Sequence, residues 1–542
     1  MEAFARLLDS LAFESSRNAR EALLVDYFRR TPDPDRGYAL AALTGTLSFR
    51  TAKPAVLKAL VSERSDPVLF ALSYDFVGDL SETIALMWPA HGTAGAAAVR
   101  LSEVVEQLSA AGRADAPRLI AAWLDSLDET GRWALLKLVT GGLRVGVSAR
   151  LAKTALARLG SVSVDEIEDV WNTLEPPFVP LFAWAEGRAA KPESRDPAPF
   201  RPPMLAHPLD EARDFEQLTA SDFIAEWKWD GIRIQAAAGH ESGAWHRRLY
   251  SRSGDDITAA FPDLLEHLCF DGAIDGELLV VRDGEVQPFS DLQRRLNRKT
   301  ADAKLMQALP VAIRAYDLLS ENGEDLRPLG FLRRRARLEA LLQRLQSPRI
   351  DLSPLIPFRD WSELAAVRAE PSARLSPADA AAVEGVMLKR AQAPYVPGRP
   401  KGEWFKWKRD PFLVDAVLMY AQRGHGKRSS YYSDYTFGVW RGAELVPVGK
   451  AYFGFTDEEL LQIDRFIRAN TVGRFGPVRE VMRQPDKGLV LEVAFEGLNR
   501  SSRHKSGLAM RFPRVSRLRW DKLPAEADHI EALEALLSAT RA

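Results

Sequence analysis

The sequence predicts three folded blocks joined in series: an all-α block over residues 1–186, an α+β block over 204–410, and a strand-rich block over 411–542 that suits a small β-barrel with a C-terminal helix. Three observations carry this. Before residue 186 apolar residues recur at helical spacing, as in Leu7, Leu8, Leu11 and Leu119, Ile120, Trp123, Leu127, and strand-like alternation is scarce. Residues 187–203 are dense in proline and charge and read as a linker. Beyond 204 the texture changes to short β-branched and aromatic runs.

In the middle block those runs are Phe223–Trp229, Ile232–Ala236, Leu278–Val281, Val311–Tyr316, Val386–Leu388 and Trp404–Trp407, with a helical stretch over Leu332–Leu345. After Arg409-Asp410-Pro411 come Val414–Tyr420, Tyr435–Trp440 and Leu489–Phe495. An amphipathic helix carrying Ile530, Leu533, Leu536 and Leu537 closes the chain.

Composition bounds the function. An apolar fraction of 46% and a charged fraction of 27% are ordinary for folded proteins. The single cysteine excludes an internal disulfide framework and any Cys-rich zinc finger. Flanked by Leu268 and Phe270, Cys269 reads as a buried structural thiol. The opening residues have no long apolar h-region, and no window approaches 18 apolar residues, so neither a leader nor a membrane span is expected and the cytoplasm is the default compartment. The net charge of −1 hides a local basic run of Arg500, Arg503, His504, Lys505, Arg511, Arg514, Arg517, Arg519 and Lys522, broken only by Asp521. Local basic faces, rather than total charge, grip a polyanion.

The central feature is Glu226-Trp-Lys228-Trp-Asp230-Gly231-Ile-Arg233. A lysine between two tryptophans near a strand end is expected to be partly buried, which disfavours the ammonium, lowers the pKa and frees some amine as a nucleophile. Gly231 permits a tight turn beside a ligand.

Lys228-x-Asp-Gly-x-Arg233 resembles the first motif of the covalent nucleotidyltransferases, which comprise DNA ligases, RNA ligases and mRNA capping enzymes. The others follow in order: Ser251-Arg252-Ser253-Gly-Asp, Asp275-Gly276-Glu277, Tyr316-Asp317 with the Arg333-Arg-Arg335 helix, Glu384-Gly385-Val386-Met-Leu-Lys389, Trp404-Phe-Lys406-Trp-Lys408 and Arg519-Trp-Asp521-Lys522. Trp229, Phe405 and Trp407 depart from the commoner family residues but keep the apolar character. Pro203-Met204-Leu205-Ala206, the Lys505–Arg514 stretch and Gly142-Leu-Arg144-Val-Gly-Val-Ser148 are similar to segments of ATP-dependent DNA ligases, most of all the three-domain bacterial type associated with damage response. The fold implied is a helical DNA-binding domain, an adenylation domain and an OB-fold domain. NAD-dependent ligases usually carry a cysteine-ligated zinc finger that this chain cannot build, which favours ATP.

The resemblance also implies roles. Lys228 would carry AMP covalently, while Lys406 and Lys408, on one face of a strand by alternation, would stabilise the phosphate charge. Glu277 would contact the ribose and share a metal with Glu384, assisted by Asp275; Mg²⁺ is the expected ion, with Mn²⁺ not distinguished from it. Tyr316 would stack on adenine and Glu226 would accept a hydrogen bond from its amino group. Arg233 and Arg252 would clamp phosphate or nick ends. Arg519 and Lys522 would orient the pyrophosphate, with 409–411 as a hinge. Arg144, Arg252, Arg503, Lys505, Arg511 and Arg514 would hold nicked duplex DNA through its phosphates, so sealing would tolerate any sequence and weaken with salt. A monomer is the simplest expectation, with repair-protein partners unidentified. The rival readings are an RNA ligase or capping enzyme, and a non-catalytic nick-binding protein.

Overall fold

The computed structural model describes the chain except residues 50, 90–98, 172, 194–195, 297, 299–300, 425–430, 502–503 and 540–542. The chain divides into two compact units, with breaks at Pro192/Glu193 and Asp410/Pro411 and a short excursion at Glu168–Thr173.

Every regular element described between residues 1 and 185 is a helix, from Glu2–Phe13 to Val179–Ala185. Short polar side chains start several of them: Ser16 accepts from the Ala19 amide, Asp128 from Gly131 and Ser148 from Leu151. The helical spacing read from the sequence buries Leu8, Leu11, Ile120, Leu124, Leu135 and Leu136 completely.

Residues 193–410 hold two sheets. One runs His207–Pro208, Trp404–Lys408, Val383–Arg390, Phe223–Trp229, Leu355–Ile356 in spatial order. The other runs Ala244–Ser251, Ile232–Glu241, Gly272–Arg282, Val311–Glu321, Glu324–Asp325. Alternation sorts their faces. Ile274, Leu278 and Val280 enter a core beneath the Phe331–Leu345 helix with Leu338 and Leu341. Leu279 joins Trp227, Trp229, Phe405 and Trp407 in a second core, and Ala273 joins Tyr395 and Trp404 in a third. Asp275 and Glu277 lie between Ala273 and Leu279 on that same strand face.

In the C-terminal block the long Phe412–Arg423 strand pairs with Tyr432–Arg441 on one side, and with Val490–Phe495 and then Val478–Val481 on the other. Arg514–Arg519 adds to Val490–Phe495, and Glu444–Ala451 to Tyr432–Arg441. The expected barrel is not closed: among the described residues no ladder joins these two outer strands, and only the Val515 amide reaches the Phe453 carbonyl, at 3.1 Å. Two helices supply apolar cover instead, Asp457–Ala469 through Ile463 and Ile467, and Ile530–Ala539 through Ile530, Leu533 and Leu537.

Cys269 is a second correction. Leu268 and Phe270 are buried, but the thiol between them is exposed and lies 3.1 Å from the Glu266 carbonyl. The Pro262–His267 3-10 helix ends at Leu268, and the chain leaves it with the thiol outside the core that takes Leu268 and Phe270.

Candidate active site

The Phe223–Trp229 strand sends its odd positions into the apolar core and its even positions, Glu226 and Lys228, to the opposite face. The flanking tryptophans are therefore not the walls around the amine. Lys228 Nζ donates instead to Glu384 Oε2 at 2.6 Å. Burial alone would lower its pKa, as the sequence suggested, but the charges of Glu384, Glu277 and Asp230 outweigh it and hold the ammonium above its ordinary value.

Glu384 reaches that position through a bulge. Gly385 pairs with Lys228 and Val383 with Trp229, leaving Glu384 as the extra residue. On its other side Gly385 pairs with Lys408, whose Nζ is 3.6 Å from the same Glu384 oxygen. Gly385 has φ +143, and a Cβ there would meet the Trp407 carbonyl oxygen at 2.3 Å. One row over, Met387 pairs with both Glu226 and Lys406. Lys406 is pushed below its usual pKa by burial and then by the cations Lys408, Lys228, Arg399 and Arg252.

The second sheet contributes Glu277. Burial first, then Glu384 and Asp230, push its carboxyl up to about 8 against the pull of Lys228 and Arg233. Gly231 serves this approach, because a Cβ there would meet the Leu278 carbonyl oxygen at 2.5 Å and Glu277 Cγ at 2.7 Å. Tyr316 is the unpaired residue of another bulge, since Asp275 faces Asp317 and Gly276 faces Ala315. Arg252 is pushed down by partial desolvation and by Arg233 and Arg399.

Three predicted residues are committed elsewhere. Asp275, expected with the metal ligands, is 1% exposed and braces Arg233 at 2.6 Å, Tyr395 at 2.5 Å and Gln235 at 3.1 Å. Arg233 itself donates to Asp275, to the Met204 carbonyl at 2.6 Å and to the Tyr395 hydroxyl at 3.0 Å, so it braces the pocket wall. Glu226 is buried, with one oxygen 2.7 Å from Arg335 and the other 2.5 Å from Lys389. Residues given no role from the sequence are also present: Arg399, Asp230, Met387 and Lys389. Parity on the Val383–Arg390 strand would have flagged Met387; Arg399 sits in a loop with no periodic signal.

The remaining predicted residues lie outside this pocket's strands. Arg519 pairs with Asp415 at 3.0 Å and Asp521 at 2.8 Å, and Lys522 with Asp415 at 2.6 Å, all within the C-terminal block. Arg144 is exposed, with φ 47, in the loop before the Ala149–Ala157 helix. Lys505 pairs with Glu444 at 2.5 Å, and Arg511 lies over Phe512. Arg514 begins the Arg514–Arg519 strand, and Arg503 lies outside the described residues.

Among the described residues no group of three or more His, Cys, Asp or Glu is arranged to hold a metal alone. Mg²⁺ asks for less, taking one or two carboxylates and completing its shell with water and substrate phosphate. The half-buried Glu277 and Glu384 carboxylates, facing one lysine, fit that donor set.

Two sheets enclosing a lysine among carboxylates and cations define a domain of the nucleotidyltransferase type. The family model for the ATP dependent DNA ligase domain matches residues 203–408, and that for the ATP dependent DNA ligase C terminal region matches 428–522. A probable DNA ligase of Koribacter versatilis is 31% identical, covering 99% of this chain and 96% of that one. DNA ligase 1 of Korarchaeum cryptofilum is 29% identical, covering 99% and 98%. The solved structure Pmar-Lig_PreS3 is similar with TM-score 0.58 at 15% identity, over 95% of this chain and 99% of that chain, a likeness of fold alone. The chain belongs to the ATP-dependent DNA ligases, enzymes that seal nicks in duplex DNA.

Proposed function

We propose that Lys228 is the nucleophile of this ligase and the carrier of AMP. The observation that carries the reading is its amine, fixed at 2.6 Å from Glu384 in a pocket that also holds Glu277, Lys406 and Lys408. In the first step the Lys228 ammonium passes a proton to water, and Nζ bonds to the α-phosphorus of ATP as the bond to the oxygen bridging to the β-phosphate breaks and pyrophosphate leaves. Negative charge spreads over the phosphate oxygens, and Lys406 and Lys408 offset it from one strand face. Bound Mg²⁺, held by Glu277 and Glu384, would shield the polyphosphate charge. Tyr316 and Met387 bracket the base, and Glu277 reaches the ribose.

In the second step an oxygen of the 5′-phosphate at the nick takes the adenylyl group and Lys228 leaves. In the third the 3′-hydroxyl attacks the 5′-phosphorus, AMP departs and the phosphodiester forms. Arg252 and Arg399 are the cations suited to the nick phosphates, with Arg233 acting from behind through the pocket wall. Arg519 and Lys522 remain candidates for the leaving pyrophosphate, an anion that would have to displace Asp415. Exposed Arg144, with Lys505, Arg511 and Arg514, would grip duplex phosphates. We assign the protein to DNA repair as a cytoplasmic monomer, on its resemblance to the three-domain bacterial type; no helix of the described residues is long and apolar enough to cross a membrane.

The test separates the first step from the last. Lys228→Ala should fail to seal an ordinary nick with ATP yet still seal a nick already carrying 5′-AMP. Sealing of the ordinary nick by Lys228→Ala would refute the assignment.

A further inference from the structure

Lys389 is spent in a way that stability does not explain. It is 1% exposed, and its ammonium lies 4.5, 4.6 and 4.7 Å from the ring centroids of Tyr316, Phe331 and Trp404. One carboxylate partner, Glu226 at 2.5 Å, belongs to the Phe223–Trp229 strand of one sheet. A hydrogen bond of 3.3 Å goes to the main-chain oxygen of Tyr316 in the other sheet. Buried ion pairs are often no more stabilising than apolar residues of the same volume. A methionine would fill the space, but it could not donate to Tyr316 and Glu226 at once.

We infer that Lys389 is a positioning residue for the nucleotide base: by pinning the Tyr316 backbone to Glu226 and lying against the Tyr316 ring, it fixes where that ring meets adenine. The bulge makes such a pin necessary. Tyr316 is the residue without a cross-strand partner, so the ladder to Gly272–Arg282 does not set its direction. The Phe331–Leu345 helix completes the frame from behind, with Arg334 paired to Asp317 at 2.8 Å and Arg335 to Glu226 at 2.7 Å. Lys389 thus acts through Tyr316 and does not touch the reacting atoms. The inference rests on the reading of Tyr316 as the ring that stacks on adenine.

The experiment is single-turnover self-adenylation of the full chain against ATP concentration, for wild type, Lys389→Met, Tyr316→Ala and the double variant. Lys389→Met should raise the half-saturating ATP concentration about tenfold or more, with the saturating rate within about threefold of wild type. On the Tyr316→Ala background the same change should add less than about twofold, because both act on one contact. If Lys389→Met does not fold, Glu226→Gln with Lys389→Met, which removes the ion pair while Arg335 keeps Glu339 at 2.9 Å, is held to the same criteria. Lys389→Arg, which keeps a cation and donors, should recover part of the ATP affinity. An unchanged half-saturation, a loss confined to the saturating rate, or full additivity with Tyr316→Ala would overturn the inference. Wild type that takes no label would instead refute the reading of the pocket itself.

Discussion

Replacing Arg233 by methionine tests whether the pocket wall is braced as described. Its guanidinium makes three hydrogen bonds, to the Met204 carbonyl, Asp275 and Tyr395, and the Asp275 side chain is 1% exposed. Methionine preserves much of the volume but strands that carboxylate with only the Tyr395 hydroxyl and the Gln235 amide. Breaking a buried charge pair from one side costs about 3–5 kcal/mol, because the remaining charge is left without compensation. For a unit of about 200 residues each kcal/mol moves the midpoint by about 2–4 °C, so this unit should melt roughly 6–20 °C lower. Scanning calorimetry of the full chain reads the shift. Asp275→Asn in the same molecule should restore at least about 1 kcal/mol, since it removes the isolated charge. A variant melting within about 2 °C of wild type would refute the brace, because even 1 kcal/mol predicts that much.

Three further outcomes follow from the same geometry. Glu384→Gln removes a charge that opposes the effect of burial on Lys228, so the amine should lose its proton more readily; trinitrobenzenesulfonate should modify Lys228 faster than in wild type at pH 8, and a slower reaction would contradict the electrostatic account. Gly385→Ala forces a side chain onto φ +143 and against the Trp407 carbonyl, which should cost about 1–3 kcal/mol in backbone strain alone and disrupt self-adenylation; a fully active, stable variant would show that the row of Lys228, Gly385 and Lys408 is not needed. Arg144→Ala should weaken binding to nicked duplex equally across sequences and lower the salt slope by about 1, as loss of one phosphate contact does; an unchanged slope would remove Arg144 from the interface.

Much of the frame was legible because strands and helices write their periods into the chain. Phe223–Trp229 and Phe331–Leu345 were recognisable within a residue of their ends. Period two also sorts the side chains. Parity assigns Trp227 and Trp229 to the face opposite Lys228, which removes the argument that they lower its pKa. The Asp457–Ala469 helix is also readable, from the Thr456 and Glu459 capping box and from Leu460, Ile463 and Ile467 three and four residues apart, although its neighbours on both sides read as strands. Other features were not legible. The bulges that re-aim Tyr316 and Glu384 depend on cross-strand register, which no local pattern encodes. Whether Asp275 faces a ligand or Arg233 depends on residues 42 positions apart. The open barrel depends on a pairing that alternation cannot specify.

The most direct measurement is to incubate the protein with ATP, digest it, and locate the adenylyl group by mass spectrometry. The expected product carries one AMP on the peptide containing Lys228, bonded at Nζ and absent from Lys228→Ala. An adenylyl group on Lys406 or Lys408, or none on any lysine while nicks are still sealed, would contradict it.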